Sequence, residues 1–133
     1  MTPGLTSILI PVFNNATFLA NLLDSLESHT PPGTFEVVLV DNASTESGMD
    51  DLYRAVENDH VRLIRNETNL GFGRANNIGL QSAQGESIAL INSDMFVTTP
   101  WLAPMARRLH ERDDCAAVQG KIVLVGDNEP RAW

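Results

Sequence analysis

SIALINSDM, residues 87–95, sets the architecture of this chain. From Ser87 to Ile91 the residues are almost all apolar and turn formers flank them, the pattern of a strand buried on both faces of a parallel sheet. The run stops at Asn92-Ser93-Asp94. An acid there lies at the carboxyl end of its strand, on the edge where open α/β sheets bind ligands. With an oxygen-bearing side chain two residues before it, it can hold a hard divalent cation.

The same pattern recurs on both sides. Ser7 to Val12 reads as a first buried strand, followed by Asn14-Asn15 as a helix cap. Phe18, Leu19, Leu22, Leu23 and Leu26 then recur at helical spacing, until Thr30-Pro31-Pro32-Gly33 ends the helix. Phe35 to Val40 is the second buried strand and ends at Asp41-Asn42-Ala43-Ser44. A weaker helix over Gly48 to Val56 and a short strand over Val61 to Ile64 follow. Asn66 to Asn77 reads as a glycine-punctuated loop entering a helix through Ile78, Leu80 and Ala83, stopped near Gly85.

Beyond the opening stretch, Thr99 can cap a helix that starts at Pro100 and buries Trp101, Leu102, Met105, Ala106 and Leu109. Cys115 to Leu124 is the last strand, and Gly126 to Trp133 a polar turn after which more chain is expected. The alternation predicts an α/β fold, with a mostly parallel sheet, right-handed crossovers and helices on both faces.

Composition narrows the function. A chain of 133 residues is read as one domain over 1–133, and 43% hydrophobic with 20% charged residues excludes a disordered chain. The net charge of −8 disfavours nucleic acid or an anionic membrane as a partner, but not a phosphate ligand that brings its own metal. A single cysteine, Cys115, no signal peptide and no run long enough for a membrane span together read as a cytoplasmic domain.

Asp41 and Asp94 therefore end two strands and the amide pair Asn14-Asn15 ends another, so all face one crevice. Either acid alone is equally well a turn cap. The loop with Gly71, Gly73 and Arg74 is a second candidate: glycines let backbone amides approach a phosphate, and a guanidinium offers forked donors. The bland alternative is a flexible turn with Phe72 in the core. His29, His60 and His110 have no metal-site spacing, Cys115 reads as a small core residue, and Arg107, Arg108 and Arg112 as a solvated face balanced by Glu111, Asp113 and Asp114.

Four motifs in register carry a resemblance: ILIPVFNN at 8–15, FEVVLVDNAST at 35–45, NLGFGRANNIG at 69–79 and ALINSDM at 89–95. The chain resembles the amino-terminal, nucleotide-binding half of family 2 inverting glycosyltransferases, in particular their rhamnosyltransferase-like branch. The resemblance implies the GT-A fold, a three-layer α/β/α arrangement, and a nucleotide-sugar donor linked to UDP, TDP or GDP. It implies that Asp41 accepts a hydrogen bond from the base, that Pro11 and Val12 line base and ribose, and that Arg74 and Asn77 close over the nucleotide. It extends nucleotide binding to Asn14, Asn42, Ser44, Gly71, Asn92 and Ser93, and makes Asp94 the ligand of Mn²⁺ or Mg²⁺ on the diphosphate. Phe13 replaces the family's more frequent Tyr, and Asn92 its first acid. The catalytic base is unassigned, since Asp113, Asp114, Asp127 and Glu129 read as solvated turn acids; the acceptor is a saccharide, a lipid-linked group or a protein.

Two other classes compete. A non-catalytic module that keeps the fold for nucleotide binding or assembly is one. A phosphoacceptor receiver is the other, and it fails on placement, because it needs an acidic cluster where Asn14-Asn15 stands.

Overall fold

The structure is a computed structural model and describes residues 1–125 and 130–132. The chain divides into two compact units, Met1–Thr99 and Pro100–Trp133.

The first unit runs β1 (Thr2–Val12), α1 (Ala16–His29), β2 (Phe35–Asp41), α2 (Met49–Val56), β3 (Val61–Arg65), α3 (Phe72–Ser82) and β4 (Gly85–Leu90). Its four strands are all parallel, in the order β3-β2-β1-β4. From β1 the chain steps to β2 and β3 in one direction, then returns past β1 to place β4. Right-handed crossovers accordingly put α1 and α2 on one face and α3 on the other. The strand order reverses between β1 and β4, where an open sheet leaves a crevice at its carboxyl edge.

Alternation along the strands fills both faces. Leu9, Val38 and Val40 pack with Ala75 of α3, flanked by Ile64, Ile78 and Ala83. Ile8, Ile10, Val37 and Leu39 point the other way and are buried, as are Leu19, Leu22, Leu23 and Leu26 of α1. At the amino ends Gly85 permits a close crossing, since a Cβ there would lie 2.6 Å from both Leu5 O and Ser7 N.

Several expectations are corrected. β4 starts at Gly85 and ends at Leu90 as an edge strand of this sheet, with Leu90 56% exposed, so it is not buried on both faces. An apolar run alone does not distinguish an edge strand from a central one. Phe18 and Leu80 are exposed, although each lies on a predicted stripe. α3 begins at Phe72, well inside the stretch expected as loop, because Ala75, Asn76 and Gly79 already face the sheet.

In the second unit, α4 (Leu102–His110) starts two residues later than predicted, with Trp101 rather than Thr99 at the N-cap. Pro104 explains the shift: it then occupies the first turn, where its missing N–H removes no helical hydrogen bond. Leu102 is buried and Met105, Ala106 and Leu109 are half-buried. The strand expected over Cys115 to Leu124 is replaced by irregular chain and the short β5 (Val123–Val125), which pairs antiparallel with β6 (Pro130–Ala132). The polar Gln119-Gly120-Lys121 interrupts the apolar run there. β6 takes part of the turn expected over 126–133; residues 126–129, with Asp127 and Glu129, lie outside the described residues. Among the described residues no helix is long and apolar enough to cross a membrane.

Candidate functional site

The carboxyl edge of the sheet is held beyond the strands themselves. Val12, Asp41 and Arg65 lie side by side in register. Past them, Asn42 N donates to Val12 O at 2.8 Å, Asn66 N to Asp41 O at 2.8 Å, and Ile91 N to Leu9 O at 3.1 Å. Each loop thus leaves its strand in a fixed direction.

The loops after β1 and β2 clasp one another. Asn14, Asn15 and Ala43 all have left-handed backbones, which Asn tolerates and Ala resists. Asn14 N donates to Ser44 Oγ at 2.7 Å, and Asn14 Oδ1 accepts from the backbone of Thr45 at 2.9 Å and Glu46 at 3.1 Å. Asn15 is the N-cap of α1, yet its side chain makes no capping bond. The helix end is satisfied by the Glu46 carboxylate.

Above this clasp lies an open crevice of about 430 Å³, within the size range of small-molecule sites. Pro11, Val12 and Phe13 leave β1 along one side, with Asn42 below. Asn69, Gly71 and Phe72 form another side, and the turn Asn92-Ser93-Asp94 closes it from β4. Gly71 has φ 79° and ψ 170°, a conformation essentially reserved for glycine, and its N–H donates to Asn69 Oδ1 at 2.9 Å. The exposed Asp94 carboxylate makes no hydrogen bond or ion pair among the described residues.

Asp41 lies beneath this surface, 4% exposed, and its Oδ1 accepts from Ser44 N at 3.0 Å. Tyr53 of α2 comes up from below. Burial, then the Asp41 charge beside it, raise the Tyr53 hydroxyl pKa far above its ordinary value, so it stays protonated. Arg65 lies over the Tyr53 ring, 5.0 Å from its centre, and pairs with Asp50 at 2.6 Å.

Of the candidates from sequence, Pro11, Val12, Asn42, Gly71, Asn92, Ser93 and Asp94 line one crevice. Asn14, Asp41 and Ser44 form the layer beneath, bonded to one another's loops. Arg74 and Asn77 are exposed on α3 outside that lining. Asn15, expected at this crevice as part of the amide pair, also lines it, whereas Phe13, Asn69 and Phe72 were not read as site residues from sequence. Asn69 carried a signal, since an Asn two residues before a Gly is the mark of an Asx turn. Phe72 is exposed at the crevice rather than tucked into the core.

The remaining residues have ordinary roles. His60 pairs with Glu27 at 2.7 Å and meets the edge of Phe35, and His29 Nδ1 bonds Ser25 O. Arg112 pairs with Asp114 at 2.6 Å. Cys115 is half-exposed instead of a core residue, because the strand meant to bury it does not form. Among the described residues no three His, Cys, Asp or Glu side chains form a metal cluster.

A parallel α/β sheet with a crevice at its switch point defines an open α/β domain whose ligand site lies at the carboxyl edge of the strands. The chain belongs to glycosyl transferase family 2, whose profile matches residues 7–133. It is 30% identical over 107 residues to the poly(ribitol-phosphate) beta-N-acetylglucosaminyltransferase TarS of Staphylococcus aureus, a match covering 79% of this chain and 19% of TarS. It is 34% identical over 94 residues to a poly(ribitol-phosphate) beta-glucosyltransferase of Bacillus spizizenii, covering 68% of this chain and 15% of that protein. The chain thus spans less than a fifth of either relative.

Solved structures agree on the fold, which is of the GT-A type. TarS 1–349 in complex with UDP-GlcNAc superposes with a TM-score of 0.69 at 30% identity, over 80% of this chain and 31% of that one. The mannosyltransferase PcManGT of Pyrobaculum calidifontis, in complex with GDP-Man and Mn²⁺, superposes with a TM-score of 0.64 at 26% identity, over 71% and 29%.

Proposed function

We propose that this chain is the donor-binding part of a cytoplasmic, inverting glycosyltransferase, holding a nucleoside-diphosphate sugar with a divalent cation for transfer to an acceptor hydroxyl. One observation supports this above the others: the crevice brings the end of β1, the Gly71 loop and the turn Asn92-Ser93-Asp94 together. Within the family, Asn92 in place of a first acid favours the rhamnosyltransferase-like branch.

In this reading the base and ribose lie along Pro11 and Val12, with the Asp41 carboxylate below as acceptor for a ring N–H. The Gly71 loop, freed of a Cβ, lets backbone approach the nucleotide, and the exposed Arg74 and Asn77 are free to close over it. The residues fit a hard cation, since the unpaired Asp94 carboxylate and the Asn92 amide both offer oxygen. Asp94 would hold the ion, which when bound neutralises the diphosphate leaving group. Inverting transfer also requires a carboxylate that deprotonates the acceptor. Among the described residues Asp94 is the one acid lining the crevice.

Calorimetric titration with UDP, TDP and GDP, each with and without Mn²⁺, tests the proposal. We expect metal-linked binding of one of them at micromolar strength, about −8 kcal/mol, and its loss in Asp94→Ala. Equal affinity in Asp94→Ala, with and without Mn²⁺, removes the metal role. No binding of any nucleotide leaves the chain as a module kept for assembly.

A further inference from the structure

Tyr53 carries an unexplained polar atom. It is the only tyrosine of the chain and 2% exposed, and its hydroxyl is buried without a hydrogen-bond partner among the described residues. A phenylalanine would fill the same space without stranding a donor, and a stranded hydroxyl costs about 1–3 kcal/mol. Core packing therefore does not account for the oxygen.

Its neighbours do. The hydroxyl lies within loose hydrogen-bonding reach of the Asp41 carboxylate and the Ser44 hydroxyl but makes a well-formed hydrogen bond with neither. Asp41 Oδ1 accepts from Ser44 N at 3.0 Å and Ser44 Oγ from Asn14 N at 2.7 Å, which sets the direction of both groups and leaves each a further lone pair. The Tyr53 ring is held from outside by Arg65, whose strand position pairs with Asp41. Burial and Arg65 restrain the ring, whereas the carboxylate turns more readily, because the terminal torsion of Asp is soft.

We propose that Tyr53 is a positioning residue for base recognition: when a nucleobase enters, the Asp41 carboxylate turns to accept from the Tyr53 hydroxyl and presents an oxygen to the ring N–H of the base. This rests on the reading of Asp41 as the base acceptor. A base with a ring N–H, as in uracil, thymine or guanine, completes the arrangement; cytosine or adenine, bearing a lone pair at that position, meets a carboxylate held in the wrong sense. Tyr53 thereby contributes to selection between bases without touching the ligand.

The test uses the full chain and whichever of UDP, TDP and GDP binds most tightly, compared with CDP for a pyrimidine or ADP for guanine. In Tyr53→Phe the ratio of the two affinities should fall about 5–10-fold while the melting temperature holds or rises. In Asp41→Asn the ratio should collapse. With the chain's one tyrosine labelled with ¹³C at Cζ, its signal should move when the nucleotide is added to the wild type and stay still in Asp41→Asn, a readout that does not depend on Tyr53→Phe folding. A collapse in Asp41→Asn with an unchanged ratio in Tyr53→Phe, or a still Cζ signal on binding, overturns the role of Tyr53 and leaves Asp41 as the acceptor. An unchanged ratio in Asp41→Asn, or no nucleotide binding at all, overturns the reading of Asp41 and the proposal with it.

Discussion

Glu46 caps a helix to which it does not belong: its carboxylate accepts from Asn15 N at 2.6 Å, at the amino end of α1, and from Ala16 N at 3.3 Å. Those N–H groups have no partner inside the helix, and the local carbonyls are occupied in the opposite direction. The negative charge is also favoured by the helix dipole. Glu46→Ala should cost about 1 kcal/mol, as the loss of a cap does, measured by urea unfolding. It should also weaken nucleotide binding, because the same clasp sets the direction in which Pro11 to Phe13 leave β1.

At the opposite edge of the sheet, Glu36 is buried and joins three strands. It accepts from Ser7 Oγ at 2.5 Å, from Gln84 N at 2.6 Å and from Arg62. Burial alone pushes its carboxyl pKa up, but the Ser7, Gln84 and Arg62 donors outweigh it and hold the group below the usual carboxylate value. The unfolded chain then binds more protons in acid. The stability Glu36 contributes is complete above its unfolded pKa of about 4.3 and is lost as pH falls through the lower folded value. Glu36→Gln should cost about 2–4 kcal/mol at neutral pH, where Arg62 is left less well paired; the outer part of Arg62 is exposed, which keeps the figure at the low end. Its unfolding curve should also flatten below pH 5 relative to wild type, read from melting temperatures across the acid range.

Gly71→Ala separates backbone strain from steric clash. No atom lies within 4 Å of an added Cβ, so the substitution meets open space. Its penalty comes from φ 79° and ψ 170°, about 1–3 kcal/mol for a residue with a Cβ. The loop is exposed and can relax, so the melting temperature should hardly change. Relaxation moves the crevice wall, and nucleotide affinity should fall roughly 10-fold. A large drop in melting temperature with unchanged affinity contradicts this account.

What could be read from the sequence was what is local. Apolar runs ending in Val40-Asp41-Asn42 and Ile91-Asn92-Ser93-Asp94 announce strands whose ends carry oxygen ligands, and five apolar runs with helices between them pointed to a mostly parallel sheet, which the first four of them form. The clasp was not readable, because Asn14 and Glu46 are 32 residues apart and nothing in either stretch names the other. Nor was the edge position of β4, since burial depends on which strand comes next in space. The late start of α4 was within reach: Pro104 forbids a helix that begins at Pro100.

The turn after β4 carries a single carboxylate, Asp94. Asn92 and Asp94 both line the crevice and both are exposed, at the first and third positions of a turn closed by Met95 N donating to Asn92 O at 3.2 Å. That turn bonds through the Asn92 backbone, so Asn92→Asp leaves its geometry intact and adds one negative charge beside Asp94. Cation affinity at oxygen sites rises with the number of charged ligands. Under the proposed function, Mn²⁺ should bind the variant about 10-fold more tightly in the absence of nucleotide, read by the paramagnetic relaxation of water protons. With UDP present the gain should shrink, because the diphosphate supplies charge that the protein otherwise lacks. The same double comparison on Asp94→Ala/Asn92→Asp decides which carboxylate matters: if the double variant binds the ion as wild type does, the two positions are interchangeable and the turn as a whole is the ligand. If it does not, Asp94 alone points at the diphosphate, and Asn92 serves to keep the resting site weak until the donor arrives.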